Sequence, residues 1–95
     1  MPAYVLADVE VTDSAAYERY RALAPDAIAR YGGRYLVRGG ATTVLEGNWQ
    51  PHRVVVLEFP DVATARRFYD SPEYVAARGA RAGAAKMSLF VVEGL

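Results

Sequence analysis

The alternation in Ala3-Tyr-Val-Leu-Ala-Asp-Val-Glu-Val11 constrains the fold more than any other stretch. Val5, Ala7, Val9 and Val11 fall on one face, and Tyr4, Leu6, Asp8 and Glu10 on the other, the period of two that a strand imposes. One face is strongly apolar and needs a cover. The next residues supply it. Thr12-Asp13-Ser14 offers side-chain oxygens to the unpaired amides of a first helical turn. From Ser14 to Tyr31, residues Tyr17, Tyr20, Ala24, Ala27 or Ile28, and Tyr31 recur at spacings of three and four, an amphipathic helix. Pro25 is expected to kink or split that helix near Ala24, and Gly32-Gly33 to end it.

Arg34 to Arg38 reads as a second strand, loosened by a bulge at Gly39-Gly40 and extended by Thr42 to Glu46, with a turn at Gly47-Asn48. Arg53 to Phe59 is a third strand. Pro60 stops it, and Asp61 caps a short helix with Val62, Ala65, Phe68 and Tyr69 on one face. Ser71-Pro72-Glu73 starts another helix: a cap oxygen, a proline where no amide is needed, then an acid in the first turn. It runs to about Ala82, weakened by Gly79 and Gly83. Lys86 to Glu93 is the last strand. Strand, helix, strand, strand, helix, strand, joined by right-handed crossovers, is an α+β ferredoxin-like βαββαβ unit. It comprises a four-stranded antiparallel sheet with helices on one face and the first and third strands central. The whole chain, residues 1–95, is one domain.

A chain this short buries roughly two-thirds of its unfolded surface. With no cysteine to staple it, pairing with a second copy through the bare sheet face is a natural gain in burial. Eleven basic and eleven acidic residues cancel, so no global field draws nucleic acid or an anionic membrane. The first strand carries Asp8 inside its apolar run and no basic leader precedes it, unlike a signal peptide. No apolar run approaches the ~20 residues of a membrane helix. A cytoplasmic homodimer is the expectation.

Strict alternation then assigns side chains to faces. With Val5, Ala7 and Val9 toward the helices, Leu6 and Asp8 face away. Tyr35 and Val37 join the helix side, while Arg34, Leu36 and Arg38 oppose them. Val55, Leu57 and Phe59 join the helix side, leaving Val54, Val56 and Glu58 on the bare face. The bare face thereby gathers Asp8, Arg38 and Glu58 among large aliphatics, a mixture suited to a cavity between two packed sheets. Buried charges there must pair, and the guanidinium fork of Arg38 can serve carboxylates in two directions.

The segments YRALAPDAIARYGGRYLVRGG, VLEGNWQPHRVVVLEFPD and FYDSPEYVAARGARAGAA resemble the family catalogued as domain of unknown function 1330, across essentially the whole chain. The family's pattern falls on Tyr20, Gly33, Arg38, Gly39, Gly40, Glu46, Trp49, Arg53, Glu58, Phe68, Tyr69, Ser71 and Tyr74. The resemblance implies membership of the dimeric α+β barrel superfamily, in which two ferredoxin-like subunits pack sheet against sheet. It also implies a pocket between sheet and helices or inside the barrel. That superfamily includes cofactor-free monooxygenases, isomerases and haem-dependent members. No reaction follows, because fold is shared more widely than chemistry.

The candidate catalytic set is Asp8, Arg38 and Glu58: Arg38 to hold an anionic or enolic oxygen, and a partly desolvated carboxylate with raised pKa to move a proton. Tyr20, Trp49, Tyr69 and Tyr74 are the candidate ligand contacts, set against core and interface roles for the tyrosines and a partner-anchor role for Trp49. Ser14 and Ser71 read as helix caps rather than nucleophiles. His52, in a loop beside Pro51, reads as structural or solvated. With one histidine and no cysteine, no metal or other cofactor is expected. An enzyme acting on a small organic molecule, a metabolite-binding dimer and a structural module in which the ion cluster fixes dimer register are the readings left open.

Overall fold

The computed structural model describes residues 1–95. Its elements are β1 (Ala3–Val11), α1 (Ser14–Arg30), β2 (Arg34–Arg38), β3 (Arg53–Phe59), α2 (Val62–Tyr69), α3 (Pro72–Ala80) and β4 (Ala85–Glu93). The strands form one antiparallel sheet in the order β2-β3-β1-β4, the ferredoxin-like arrangement. No helix is long and apolar enough to cross a membrane.

Local chemistry sets the boundaries. Asp13 caps α1 by accepting the Ala16 amide, Asp61 caps α2 through Thr64, and Ser71 caps α3 through Tyr74. Gly32 takes φ +76° just past α1. Pro25 neither splits α1 nor ends it: the helix is continuous from Ser14 to Arg30. An interior proline costs ~3 kcal/mol. Burial of Tyr17, Ala24, Ala27 and Ile28 along the same helix, with ~1.5–3 kcal/mol for a fully buried large side chain, outweighs it.

The alternation on β1 is realised: Ala3, Val5, Ala7 and Val9 are buried beneath the helices. Val5 lies opposite Leu57 and Val91, Ala7 opposite Val55 and Leu89, and Val9 opposite Arg53 and Met87. The main core joins Val5, Leu57 and Phe59 to Ala24, Ala27 and Ile28 of α1, and to Ala65, Phe68, Tyr74 and Ala77. Phe59, Phe68 and Tyr74 stack in series, with ring centroids 5.0 and 4.3 Å apart. Gly33 belongs to this packing, because a Cβ there would meet the Phe59 ring at 2.6 Å and Ile28 Cγ2 at 2.9 Å. A smaller cluster, Ala7, Val9, Tyr17 and Ala84, closes the other end.

Two expectations for the middle of the chain are overturned. Residues 42–46 do not extend β2, which ends at Arg38; residues 39–52 contain no strand. To pair with β3 the extension would lie opposite residues preceding Arg53. There Pro51 has no amide to donate, and the His52 amide is engaged by Asp8 at 2.8 Å. The irregularity in β2 is not at Gly39-Gly40 but between Tyr35 and Val37: Tyr35 pairs with Leu57, Val37 with Val56 and Arg38 with Val55. Leu36 is the extra residue of a β-bulge.

Candidate functional site

The bulge determines where the charges go. A one-residue slip moves every later side chain to the opposite face. Val37, opposite Val56, therefore joins the bare face. Arg38, opposite Val55, turns to the helix side. There it enters a cleft between the sheet and α1, lined also by Tyr17, Tyr20, Tyr35, Arg53 and Tyr74 above an aliphatic floor that includes Val55, Leu57 and Leu89. The cleft encloses a cavity of only about 30 Å³, room for a water or two. Beside it lies a vestibule of about 150 Å³ lined by Val11, Ser14, Tyr17, Glu18, Arg21 and Arg53. Tyr17, Arg21 and Arg53 are common to both.

Arg53 reaches the cleft by simple parity, as it lies opposite Val9 on the helix side. Gly39 makes room for it. The glycine has φ +74°, and a Cβ at that position would lie 2.7 Å from the Arg53 Cζ. The guanidinium thus rests against bare backbone, while the Gly39 amide donates to the Val54 carbonyl at 2.8 Å. Arg53 Nε is buried without a hydrogen-bond partner, a condition that costs ~1–3 kcal/mol for a typical polar group. The Arg38 guanidinium lies 4.6 Å from the centre of the Tyr35 ring, a cation–π contact. Of the cleft's cations, Arg21 is paired with Glu18 at 2.9 Å, whereas neither Arg38 nor Arg53 takes part in an ion pair.

The phenols are tuned by burial. The Tyr20 and Tyr74 hydroxyls share a hydrogen bond of 2.6 Å. Burial, reinforced by Tyr74, pushes the Tyr20 phenol far above its ordinary range. Burial likewise raises Tyr17, opposed by the Arg53 charge, and raises Tyr35, opposed by Arg38. All three stay neutral at physiological pH and can donate. Guanidinia beside neutral phenols are suited to holding an oxyanion.

The expected convergence of Asp8, Arg38 and Glu58 does not occur. Asp8 and Glu58 lie on the bare face, where alternation put them. Arg38 is on the other side of the sheet because strict alternation fails at Leu36. Glu58 pairs instead with Arg34, its cross-strand neighbour, at 2.6 Å. Asp8 accepts from the His52 amide at 2.8 Å and from the Trp49 indole at 3.1 Å. The His52 amide, and secondarily Trp49, hold the Asp8 carboxyl below its usual range against the opposing effect of burial. The raised pKa wanted of a proton-moving base is therefore absent there. His52 sits between Asp8 and Glu10, with its ring nitrogens at 3.6 and 3.9 Å.

The four aromatic candidates divide three ways. Tyr20 and Tyr74 line the cleft. Tyr69 stacks under Arg78, 4.1 Å from the guanidinium, and borders a separate apolar groove between α2 and β4. Trp49 is 67% exposed on the far side of the sheet. Sequence reasoning did not single out Arg53, Tyr17 or Tyr35 as site residues. The signal for Arg53 was present, since it shares parity with Val55, Leu57 and Phe59.

The family model of the Domain of unknown function (DUF1330) matches residues 2–95. The chain belongs to this family. Among solved structures, a Rhodopseudomonas palustris protein of unknown function is similar in fold, 23% identical, with TM-score 0.78 over 99% of this chain and 82% of that one. A dimeric ferredoxin-like protein of unknown function from Jannaschia sp. CCS1 is 16% identical, with TM-score 0.70 over 99% and 100%. SnoaB from Streptomyces nogalater, a cofactor-independent oxygenase, is 16% identical, with TM-score 0.67 over 99% and 93%. At such identities these likenesses establish the fold of the DUF1330 chain. No curated protein matches its sequence.

Proposed function

We propose that this chain is a homodimer of the α+β barrel type whose subunits each take a small organic molecule into the cleft between sheet and helices, acting on it by cofactor-independent chemistry. The observation that carries the reading is the cleft itself: two guanidinia without ion-pair partners, Arg38 and Arg53, among Tyr17, Tyr20, Tyr35 and Tyr74. Arg38 stabilises an oxyanion that develops on the substrate, and Tyr20 and Tyr74 contact its body. The cofactor-independent oxygenase among the structural neighbours supports the reaction class, and the dimeric ferredoxin-like neighbour supports the assembly.

The bare sheet face suits the second copy. Leu6, Val54 and Val56 are half-buried there, and Val37, Phe90 and Val92 are exposed, a contiguous apolar surface of the kind that marks an interface. Asp8 and Glu58 flank it and belong to this interface in the proposed assembly. A second reading, a binding protein without turnover, is favoured by one feature: no carboxylate or imidazole lines the inner cleft, so no conventional base is at hand.

Oxygen uptake measured across a set of one- to three-ring phenols and enols tests the reading. Uptake with at least one of them, abolished by Arg38→Met with the dimer intact, is expected. Ligands that raise the melting temperature without any turnover would select the binding protein. The absence of both uptake and stabilisation removes the cleft from consideration.

A further inference from the structure

We propose that the cleft is a site for a small planar organic acid, its carboxylate gripped between Arg53 and Arg38, with Gly39 as the positioning residue that makes the grip. This rests on the proposed use of the cleft and goes further, in fixing the charge and size of what enters it.

The charge follows from the lining. Arg38 and Arg53 stand on neighbouring strands, on one face, in diagonal register, because Arg38 pairs with Val55 two residues beyond Arg53. Cross-strand diagonal positions are only about 7–8 Å apart, so two like charges face a common space with no carboxylate among the lining residues of the inner cleft. An anion between them removes the repulsion. Arg81 adds to the same field, with its guanidinium 5.4 Å from the Tyr20 ring centre.

The shape of the head group follows from what each guanidinium has already engaged. Arg38 lies over the Tyr35 ring, 4.6 Å from its centre, and is in no ion pair, which leaves its donors available. Arg53 is pressed against Gly39, where any Cβ would displace it. Planar forks held beside an aromatic ring and against backbone match the two oxygens of a carboxylate better than a lysine would. The Tyr17 hydroxyl, beside Arg53 and at the junction of cleft and vestibule, donates a third hydrogen bond.

The size follows from position. Arg53 lies at the boundary between vestibule and cleft, so an acid head held there points its body inward toward Ile28, Val55, Leu57 and Leu89. The inner cleft holds about 30 Å³ and the vestibule about 150 Å³, so the acid is a small one, one ring with a short side chain, and its ring enters as the side chains lining the cleft move apart on binding.

The test uses the full chain and three matched pairs: benzoate and benzamide, phenylacetate and phenylacetamide, cinnamate and cinnamamide. Binding is followed by amide shifts in two-dimensional NMR and by calorimetry. At least one acid is expected to shift Gly39, Tyr35 and Leu57 amides, with its amide bound at least tenfold more weakly. Arg53→Met and Gly39→Ala are each expected to lose tenfold or more in acid affinity. Should Gly39→Ala fail to fold, Arg53→Lys replaces it, since it keeps the charge and loses the fork. Amides that bind as well as acids overturn the acid inference and leave the cleft reading standing. If no acid and no amide shifts a cleft residue, both fall.

Discussion

Removing the Tyr20 hydroxyl should cost more than removing its partner's, and the asymmetry can be worked from burial. Tyr74 is 1% exposed, and its hydroxyl lies 2.6 Å from that of Tyr20. Both border the cleft, which has room for a water, but Tyr20 is half-buried and so more open to it than Tyr74. In Tyr20→Phe the Tyr74 hydroxyl is left buried and unpaired, a loss of ~1–3 kcal/mol. In Tyr74→Phe the Tyr20 hydroxyl can turn to cleft water, leaving the ~1 kcal/mol net value of an ordinary hydrogen bond. The double variant strands nothing, so its cost should be less than the sum. For a chain this short each 1 kcal/mol moves the melting temperature by about 4–8 °C. Guanidinium denaturation of all four proteins at one fixed concentration, so that dimerisation does not distort the comparison, gives the cycle. Equal and additive small losses, or a larger loss in Tyr74→Phe, would refute the burial argument.

Three further outcomes are expected. Gly33→Ala should destabilise by ~1–3 kcal/mol, the usual cost of overpacking, because its Cβ would press on Phe59 and Ile28; a calorimetric scan reads this. Phe90→Glu should convert the proposed dimer to a monomer in sedimentation analysis while circular dichroism stays unchanged, since Phe90 is 53% exposed on the bare face. Asp8, Asp61 and Glu73 are each held below their ordinary pKa, by the His52 amide, by the Thr64 side chain and amide, and by the amide of Glu73 itself, respectively. Their stabilisation is therefore present above the ordinary values of 3.8, 3.8 and 4.5. It is lost as pH falls through the lower folded values. Denaturation midpoints should be flat near neutrality and fall below about pH 4, and Asp61→Asn should make that fall shallower.

The elements were legible because their signals are local. Valine alternation on β1 and β3, the Asp13, Asp61 and Ser71 caps, and the stop at Gly32 each depend on residues within a few positions. The site was less legible because it depends on one register slip. The bulge at Leu36 carries no glycine or proline, while Gly39-Gly40 advertised one three residues later. In the structure Gly39 serves a different purpose, giving space to Arg53. Parity then failed for Arg38 alone among the three proposed catalytic residues, and one failure was enough to place it across the sheet from Asp8 and Glu58. Residues 42–46 misled for a related reason. Their β-branched composition favours a strand, but the backbone donors they would need are missing at Pro51 and engaged at His52.

The side of the sheet that Arg38 occupies can be read directly from nuclear Overhauser effects in protein carrying isotope-labelled arginine. A slipped register predicts cross-peaks from the Arg38 side chain to the Tyr35 ring and to Val55, with none to the Leu6 or Val56 methyls. Cross-peaks to Leu6 and Val56, with the Tyr35 ring silent, would put Arg38 back on the bare face and leave the cleft with Arg53 as its one unpaired cation.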